Sequence, residues 1–172
     1  MINKSVQPIK AQLELQNSLF ENVLRNISEE NAKFGLDEHV SSVKWLVGHI
    51  VNTRMTLTSI LSGVGQDPVY AQLFDKGTSQ ITGQTYPTID ELLDKWKLIS
   101  VELFAAIERL TEEKLVSPPP FQTSIPDTTL LGLIAFMTIH EAHHIGQISA
   151  FRKISEANAN KDLVFYDRVI CN

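Results

Sequence analysis

Three of the five histidines in this chain lie close together in the segment His140-Glu-Ala-His-His-Ile-Gly-Gln147. Residues four apart share one face of a helix, about one turn from each other, so His140 and His144 can direct their imidazoles at a single point. Both also belong to an apolar seam that faces the core. Either they are a pair of metal ligands, or they are core histidines with hydrogen-bond partners, because an unsatisfied buried polar group costs about 1 to 3 kcal/mol.

His49 supplies a third candidate ligand. It follows Leu46 by three positions and precedes Thr53 by four, at or beside the inward face of an earlier helix. Three neutral imidazoles from two helices can occupy three corners of a tetrahedron and leave the fourth open to water or substrate, as a catalytic metal requires. The remaining histidines, His39 in a polar loop and His143 about 100° round its helix, are predicted to be solvated or to lie behind the ligands.

The composition restricts the classes of function. The chain has 172 residues, 43% of them apolar, with 15 basic and 20 acidic residues and a net charge of -5. Because no basic stripe is present, nucleic-acid binding is not expected. No apolar run approaches the roughly 20 residues that span a bilayer, and no signal peptide is recognisable, so we expect a soluble cytoplasmic protein without membrane association. Cys171 is the single cysteine, so a metal site must be built from histidines and carboxylates.

Apolar periodicity and capping signals predict four long helices and one short one. The long helices are predicted from Ser5 to about Ser28, from Ser41 or Ser42 to Gly63, from Thr88 to Leu110, and from Asp127 or Thr128 to about Ile154. The connection 63–87 exceeds the usual ~2 to 8 residues between bundle helices. It carries the short helix, Asp67 to Lys76, and is long enough to make the second and third long helices parallel. Residues 163–166 are expected to pack as a short extended segment. With no strand pattern, the sequence predicts one all-α four-helix bundle domain over residues 1–172.

The segments Trp45-Leu-Val-Gly-His49 and His140 to Gln147 resemble the DinB-like (DinB/YfiT) superfamily. The resemblance implies a four-helix bundle, commonly a homodimer, that holds a divalent metal, often zinc or nickel. Its ligands are one histidine from the second helix and two, four apart, from a later helix, which correspond here to His49, His140 and His144. The chain departs from the commonest pattern at Ile145, where an arginine often precedes the Gly-Gln pair.

Family members with an assigned activity are thiol S-transferases, which join a low-molecular-weight thiol such as bacillithiol or mycothiol to an electrophile. The resemblance therefore implies a small-molecule thiol as co-substrate, since the terminal Cys171 is not expected to be the nucleophile. A metal-dependent hydrolase and a non-catalytic stress-response or partner-binding bundle are the alternatives.

The histidine segment also matches the zincin pattern H-E-x-x-H, in which Glu141 would be the general base. No histidine follows His144 and no sheet precedes the helix, so Glu141 is predicted to be a charged residue behind the ligands instead. Gly146 would let another backbone approach closely and Gln147 could hydrogen-bond within the core, but for both residues we favour a packing role.

Overall fold

The computed structural model describes residues 3–35, 41–75 and 85–158. Within these ranges the chain forms helices and no strand, which confirms the all-α prediction. The helices are α1 Gln7–Leu24, α2 Glu29–Ala32, α3 Val43–Ser62, α4 Pro68–Phe74, α5 Ile89–Glu108, α6 Glu112–Leu115 and α7 Leu130–Asn158. His39, Cys171 and the segment 163–166 lie outside the described residues, and the extent of the domain over 1–172 stays a prediction.

Helix boundaries follow local capping chemistry in the middle of the chain. The Ser42 hydroxyl accepts a hydrogen bond from the Trp45 N–H at the start of α3, and α3 ends at Gly63, whose φ of 78° is left-handed. Thr88 and Glu91 form the reciprocal capping box predicted for α5. The Asp67 side chain accepts from the Val69 N–H and begins α4. These predicted starts, and the end of α3, are confirmed, whereas α4 ends at Phe74, two residues before the predicted Lys76, because Asp75 is already extended.

The first and last helices differ from their predicted bounds. Helix α1 begins after Val6, without a side-chain cap from Ser5, because Pro8 lies in the first turn where its missing N–H is harmless. It ends at Leu24 rather than near Ser28, because Asn26 adopts a φ of 61° that breaks the helix. Helix α7 begins one or two residues later than predicted: the hydroxyl of Thr129 accepts from the Gly132 N–H at 3.2 Å. It also extends past Ile154 to Asn158.

The four long helices form two parallel pairs. Gln16 of α1 donates a hydrogen bond to the Thr138 carbonyl of α7 at 3.0 Å, and further along both helices Arg152 donates to the Val23 carbonyl at 3.1 Å. Helices α1 and α7 are therefore parallel. Helices α3 and α5 are parallel too, since their first halves share one apolar cluster and their second halves share another. The long connection between them therefore crosses the length of the bundle, as predicted.

The two pairs are antiparallel to each other. His49 lies beside His144 while the later Arg54 contacts the earlier Glu141, so α3 and α7 run in opposite directions. Two apolar clusters fill the bundle on either side of this level: Met55 and Ile145 belong to one, and Leu57 and Met137 belong to the other. The middle of the bundle is therefore polar around Arg54 and Glu141, and the candidate ligands lie beside this level, with His49 among residues of the first cluster. No helix in the described parts of the chain is both long and apolar enough to cross a membrane.

Candidate metal centre

His49, His140 and His144 converge as the spacing predicted. The Nε2 atom of His140 is 3.4 Å from that of His49 and 3.1 Å from that of His144. One nitrogen from each residue lies within 4.8 Å of the others, and the centroids of the imidazole rings are 4.5 to 5.2 Å apart. The bundle therefore brings together the three residues that were predicted as ligands, one from α3 and two from α7.

The outer nitrogen of His49 is held by the end of α4. Its Nδ1–H donates to the backbone carbonyl of Phe74 at 2.7 Å, and this carbonyl belongs to the last turn of α4, where helical partners are missing. The Trp45 indole stacks on the imidazole at 4.9 Å with an interplanar angle of 9°. Burial lowers the pKa of His49, opposed by the Phe74 carbonyl and the charge of Asp75, so the ring is neutral at neutral pH.

Gly48 allows α4 to approach α3 closely enough to make this hydrogen bond. A Cβ at position 48 would lie 2.1 Å from the nearest atom of the Phe74 ring, far inside van der Waals contact. Steric packing thus explains the glycine in the Trp45-Leu-Val-Gly-His49 segment. It leaves space for the ring of Phe74, and the backbone carbonyl of Phe74 orients His49.

The outer nitrogen of His144 is held within α7. Its Nδ1–H donates to Oε1 of Gln147, one turn further on, at 2.6 Å. Burial lowers the pKa of His144, and the neighbouring His49 and His143 lower it further, whereas Gln147 raises it. The favoured packing role for Gln147 is not what the structure shows: its side chain accepts a hydrogen bond from His144, the arrangement usual for metal-binding histidines.

These outer hydrogen bonds determine where the protons lie. Carbonyl oxygens only accept, so Nδ1 carries the proton in both His49 and His144, and each Nε2 presents a lone pair. The Nε2 of His140 faces both lone pairs and can donate a proton to only one of them. At least one close nitrogen pair therefore has two lone pairs facing each other, and a cation between the rings would be attracted to both.

The spacing suits a tetrahedral metal ion. Zinc–nitrogen bonds of about 2.0 to 2.1 Å place two nitrogens of a tetrahedron about 3.3 Å apart. The two Nε2 separations measured from His140, 3.4 and 3.1 Å, bracket that value. Two imidazoles with hydrogen-bonded outer nitrogens, His49 and His144, and a third that faces both of them fit a zinc or nickel ion.

Glu141 is not available as the zincin base. Both of its carboxylate oxygens accept hydrogen bonds from Arg54, at 3.0 and 2.5 Å, and its side chain is 4% exposed. It therefore lies behind the candidate ligands, as predicted. Arg54 was missed from the sequence, although a signal existed: it follows the core residue Ile50 by four, so a charge occupies the inward seam of α3 just as Glu141 occupies that of α7.

The other residues of the α7 segment have separate environments. His143 is exposed, as predicted, and its ring meets the edge of His144 at 5.2 Å. Ile145 is 2% exposed and belongs to the apolar core. Gly146 faces open space: a Cβ at this position would have no described atom within 4 Å, so no backbone in the described chain approaches it.

The described residues form an all-helical bundle in which one histidine of α3 and two of α7 converge. The chain belongs to the DinB superfamily, whose family sequence pattern matches residues 12–148, a range that includes all three histidines. The resemblance inferred from the two motifs is thereby confirmed.

A solved structure shares this fold. It is described as the conserved protein of a locus from Enterococcus faecalis, and it superposes with a TM-score of 0.69 at 16% identity over 90% of this chain and 99% of its own. At this identity the similarity shows the fold alone. No curated protein matches the sequence.

Proposed function

We propose that His49, His140 and His144 bind one divalent metal ion, and that the protein is a metal-dependent thiol S-transferase. The observation that carries the metal site is the set of Nε2 atoms brought together while two Nδ1 atoms are occupied by acceptors. A divalent ion held there lowers the pKa of a thiol that binds to it and favours the thiolate, the nucleophilic form.

In the transfer, a bond forms between the thiol sulfur and an electrophilic carbon. The thiol proton passes to solvent, and the leaving group departs with its bonding electron pair. The chain's own part is to hold the rings of His49 and His144 oriented, through Phe74 and the stacked indole of Trp45 for His49 and through Gln147 for His144. We propose the cytoplasm as the location, because low-molecular-weight thiols are kept reduced there.

The environment of Glu141 supports thiol transfer over hydrolysis. Hydrolysis on a metal usually recruits a general base beside the attacking water, and Glu141 would be the base in an H-E-x-x-H helix. Here both oxygens of that carboxylate are bonded to Arg54. A thiol needs no such base, because its ordinary pKa of about 8.5 is already close to neutrality.

Metal analysis of the purified protein, followed by a panel of thiols, tests this proposal. We expect about one zinc or nickel ion per chain and consumption of one thiol, bacillithiol or mycothiol among those offered, in the presence of a chloroalkyl electrophile. Metal-free protein that fails to take up added zinc would overturn the metal site. Loaded protein with no thiol activity, yet with activity on ester or amide substrates, would replace the transferase by a hydrolase. A loaded site with no exchangeable position would indicate a structural role.

We also propose that the protein forms a homodimer through exposed helix faces. Leu98 and Val101, three residues apart on α5, are 61% and 71% exposed, which supports an apolar contact on that face. Sedimentation equilibrium of the wild type and of a Leu98→Glu/Val101→Glu variant tests this. A monomeric wild type would contradict it.

A further inference from the structure

A buried charged pair joins the two helices that carry the histidines. Arg54 on α3 donates from Nε and Nη2 to the two oxygens of Glu141 on α7, and the two side chains are 0% and 4% exposed. Burying two charges costs a large desolvation free energy, so replacing a buried ion pair by apolar residues often leaves the stability of the fold unchanged or raises it. The contribution of the pair to stability therefore does not explain its presence.

The same guanidinium contacts each of the other long helices. Its Nη1 donates to Asn17 Oδ1 on α1 at 3.0 Å and to Ser100 Oγ on α5 at 2.6 Å, and its central carbon lies 3.4 Å from the centre of the Trp96 ring. A guanidinium is a rigid, planar fork with fixed donor directions. Because the donor directions of the guanidinium are fixed, a shift of any of these helices along its axis breaks hydrogen bonds of a buried charge.

Apolar seams alone discriminate poorly between helix registers. Leucine, isoleucine and methionine recur at three- and four-residue steps along α3 and α7, so a slip of one turn, about 5.4 Å, still places apolar side chains opposite each other. Such a slip would move His49 away from His140 by the same distance. Buried polar groups are best attested as determinants of register in helical assemblies.

We infer that Arg54 and Glu141 are positioning residues that set the register of α3 against α7 and thereby assemble the metal site. Glu141 directly follows His140, and Arg54 lies five residues after His49 on the same helix. The pair thus sits beside the ligands on both helices. This inference rests on the proposed metal-binding function.

Replacing both members of the pair separates positioning from stability. A single Arg54→Met variant leaves a buried carboxylate without its partner and is expected to lower the urea midpoint strongly. In the double variant Arg54→Met/Glu141→Leu no charge is stranded, so most of that midpoint is expected to return. Leu103→Ala on α5 truncates a fully buried leucine in the apolar cluster that contains Leu57 and Met137. It is the matched control, because it destabilises the fold and leaves the charged pair intact.

Zinc affinity and the cobalt(II) absorption spectrum are measured at a temperature where all variants are folded. We expect the double variant to bind zinc about 10- to 100-fold more weakly than the wild type, the range found when groups behind metal ligands are removed. Its cobalt spectrum should change, whereas Leu103→Ala should retain the wild-type affinity and spectrum. Wild-type affinity and spectrum in the double variant would overturn the inference.

A metal-free measurement keeps this inference distinct from the proposed function. Spin labels at Ser59→Cys on α3 and Ile139→Cys on α7, in a Cys171→Ser background, report the distance between the helices in the apo protein. We expect the double variant to shift or broaden the distance distribution relative to the wild-type pair. If the wild type fails to bind zinc or cobalt, the proposed function fails, but this distribution still decides the positioning role. An unchanged distribution would show that the pair does not set the register.

Discussion

The ring of Phe74 occupies the space that any side chain at Gly48 would need, and the carbonyl of the same residue accepts the Nδ1–H of His49 at 2.7 Å. Packing and ligand orientation therefore depend on one contact between α3 and α4. The short helix in the long connection thus contributes to the candidate metal centre, because it carries the acceptor that determines which nitrogen of His49 is protonated.

Gly48→Ala is expected to weaken zinc binding about 10- to 100-fold. Alanine is a better helix former than glycine, so α3 itself should be stabilised. The new Cβ would displace the Phe74 ring and withdraw its carbonyl from His49. Competition with a chromophoric chelator measures the affinity, and circular dichroism checks the helical content.

The double variant Gly48→Ala/Phe74→Ala is the control for the steric explanation. Alanine has none of the ring atoms that a Cβ at position 48 would meet, while the backbone carbonyl that accepts from His49 is retained. We expect zinc affinity to recover most of the loss seen in Gly48→Ala. Equal affinity of Gly48→Ala and the wild type would contradict the proposed role of α4.

His144→Ala is expected to abolish stoichiometric metal binding and leave the helical content largely intact. Two imidazoles on two helices hold a metal weakly, whereas the apolar clusters that stabilise the bundle remain. Elemental analysis after dialysis measures the metal content. His143→Ala, one position away and exposed, is the matched control and should retain the metal. Metal content in His144→Ala equal to that of the wild type would rule out the three-histidine assignment.

Gln147→Leu is expected to weaken zinc binding about tenfold, because the Nδ1–H of His144 loses its acceptor and the ring loses its fixed orientation. Gln147→Glu should retain the affinity or raise it, since a carboxylate accepts the same hydrogen bond and makes the imidazole a stronger ligand. Chelator competition at pH 7 compares the two variants. Equal affinities for Gln147→Leu and the wild type would favour the packing role predicted for Gln147 from the sequence.

The parts of the structure that were predictable are those in which residue type alone carries the information. Histidines four apart in an apolar seam, a serine or threonine before a helix, and a glycine after one each have a specific physical meaning. The convergence of His49 with His140 and His144, and the capping box at Thr88, follow from such signals. The start of α1 was not predictable in this way, because Pro8 can begin a helix without the side-chain cap expected of Ser5.

The groups behind the ligands were harder to predict for two different reasons. Phe74 acts through a backbone carbonyl, which every residue has, so no residue type marks it. Arg54 and Glu141 did carry a signal, since two opposite charges interrupt inward-facing seams on different helices. Recognising them as a pair requires knowledge of the register of α3 against α7. Apolar periodicity does not determine that register, because a shift of one helical turn gives the same pattern.

The contacts of Glu29 predict that the folded protein loses stability in acid. It accepts a hydrogen bond from the Ile89 N–H at the start of α5 at 2.7 Å and forms an ion pair with Lys44 on α3. Burial raises the pKa of the Glu29 carboxyl, but the hydrogen bonds from Lys44 and Ile89 outweigh it and hold the pKa below the ordinary value of 4.5. The fold therefore favours the ionised form, and its contribution is complete above pH 4.5 and is lost as the pH falls through the lower pKa of the folded state.

Glu29→Gln should accordingly lower the urea midpoint at pH 7, and the difference from the wild type should shrink between pH 5 and pH 3. The effect at pH 7 is expected to stay below about 1 kcal/mol, because the carboxyl is only partly buried and solvent screens the pair. Glu30, the next residue on α2, forms an exposed ion pair with Lys33. Glu30→Gln removes that pair and is the matched control, and its stability should differ little from that of the wild type at any pH. A constant difference between Glu29→Gln and the wild type from pH 7 to pH 3 would show that its hydrogen bonds, and not its charge, link α5 to the start of α3.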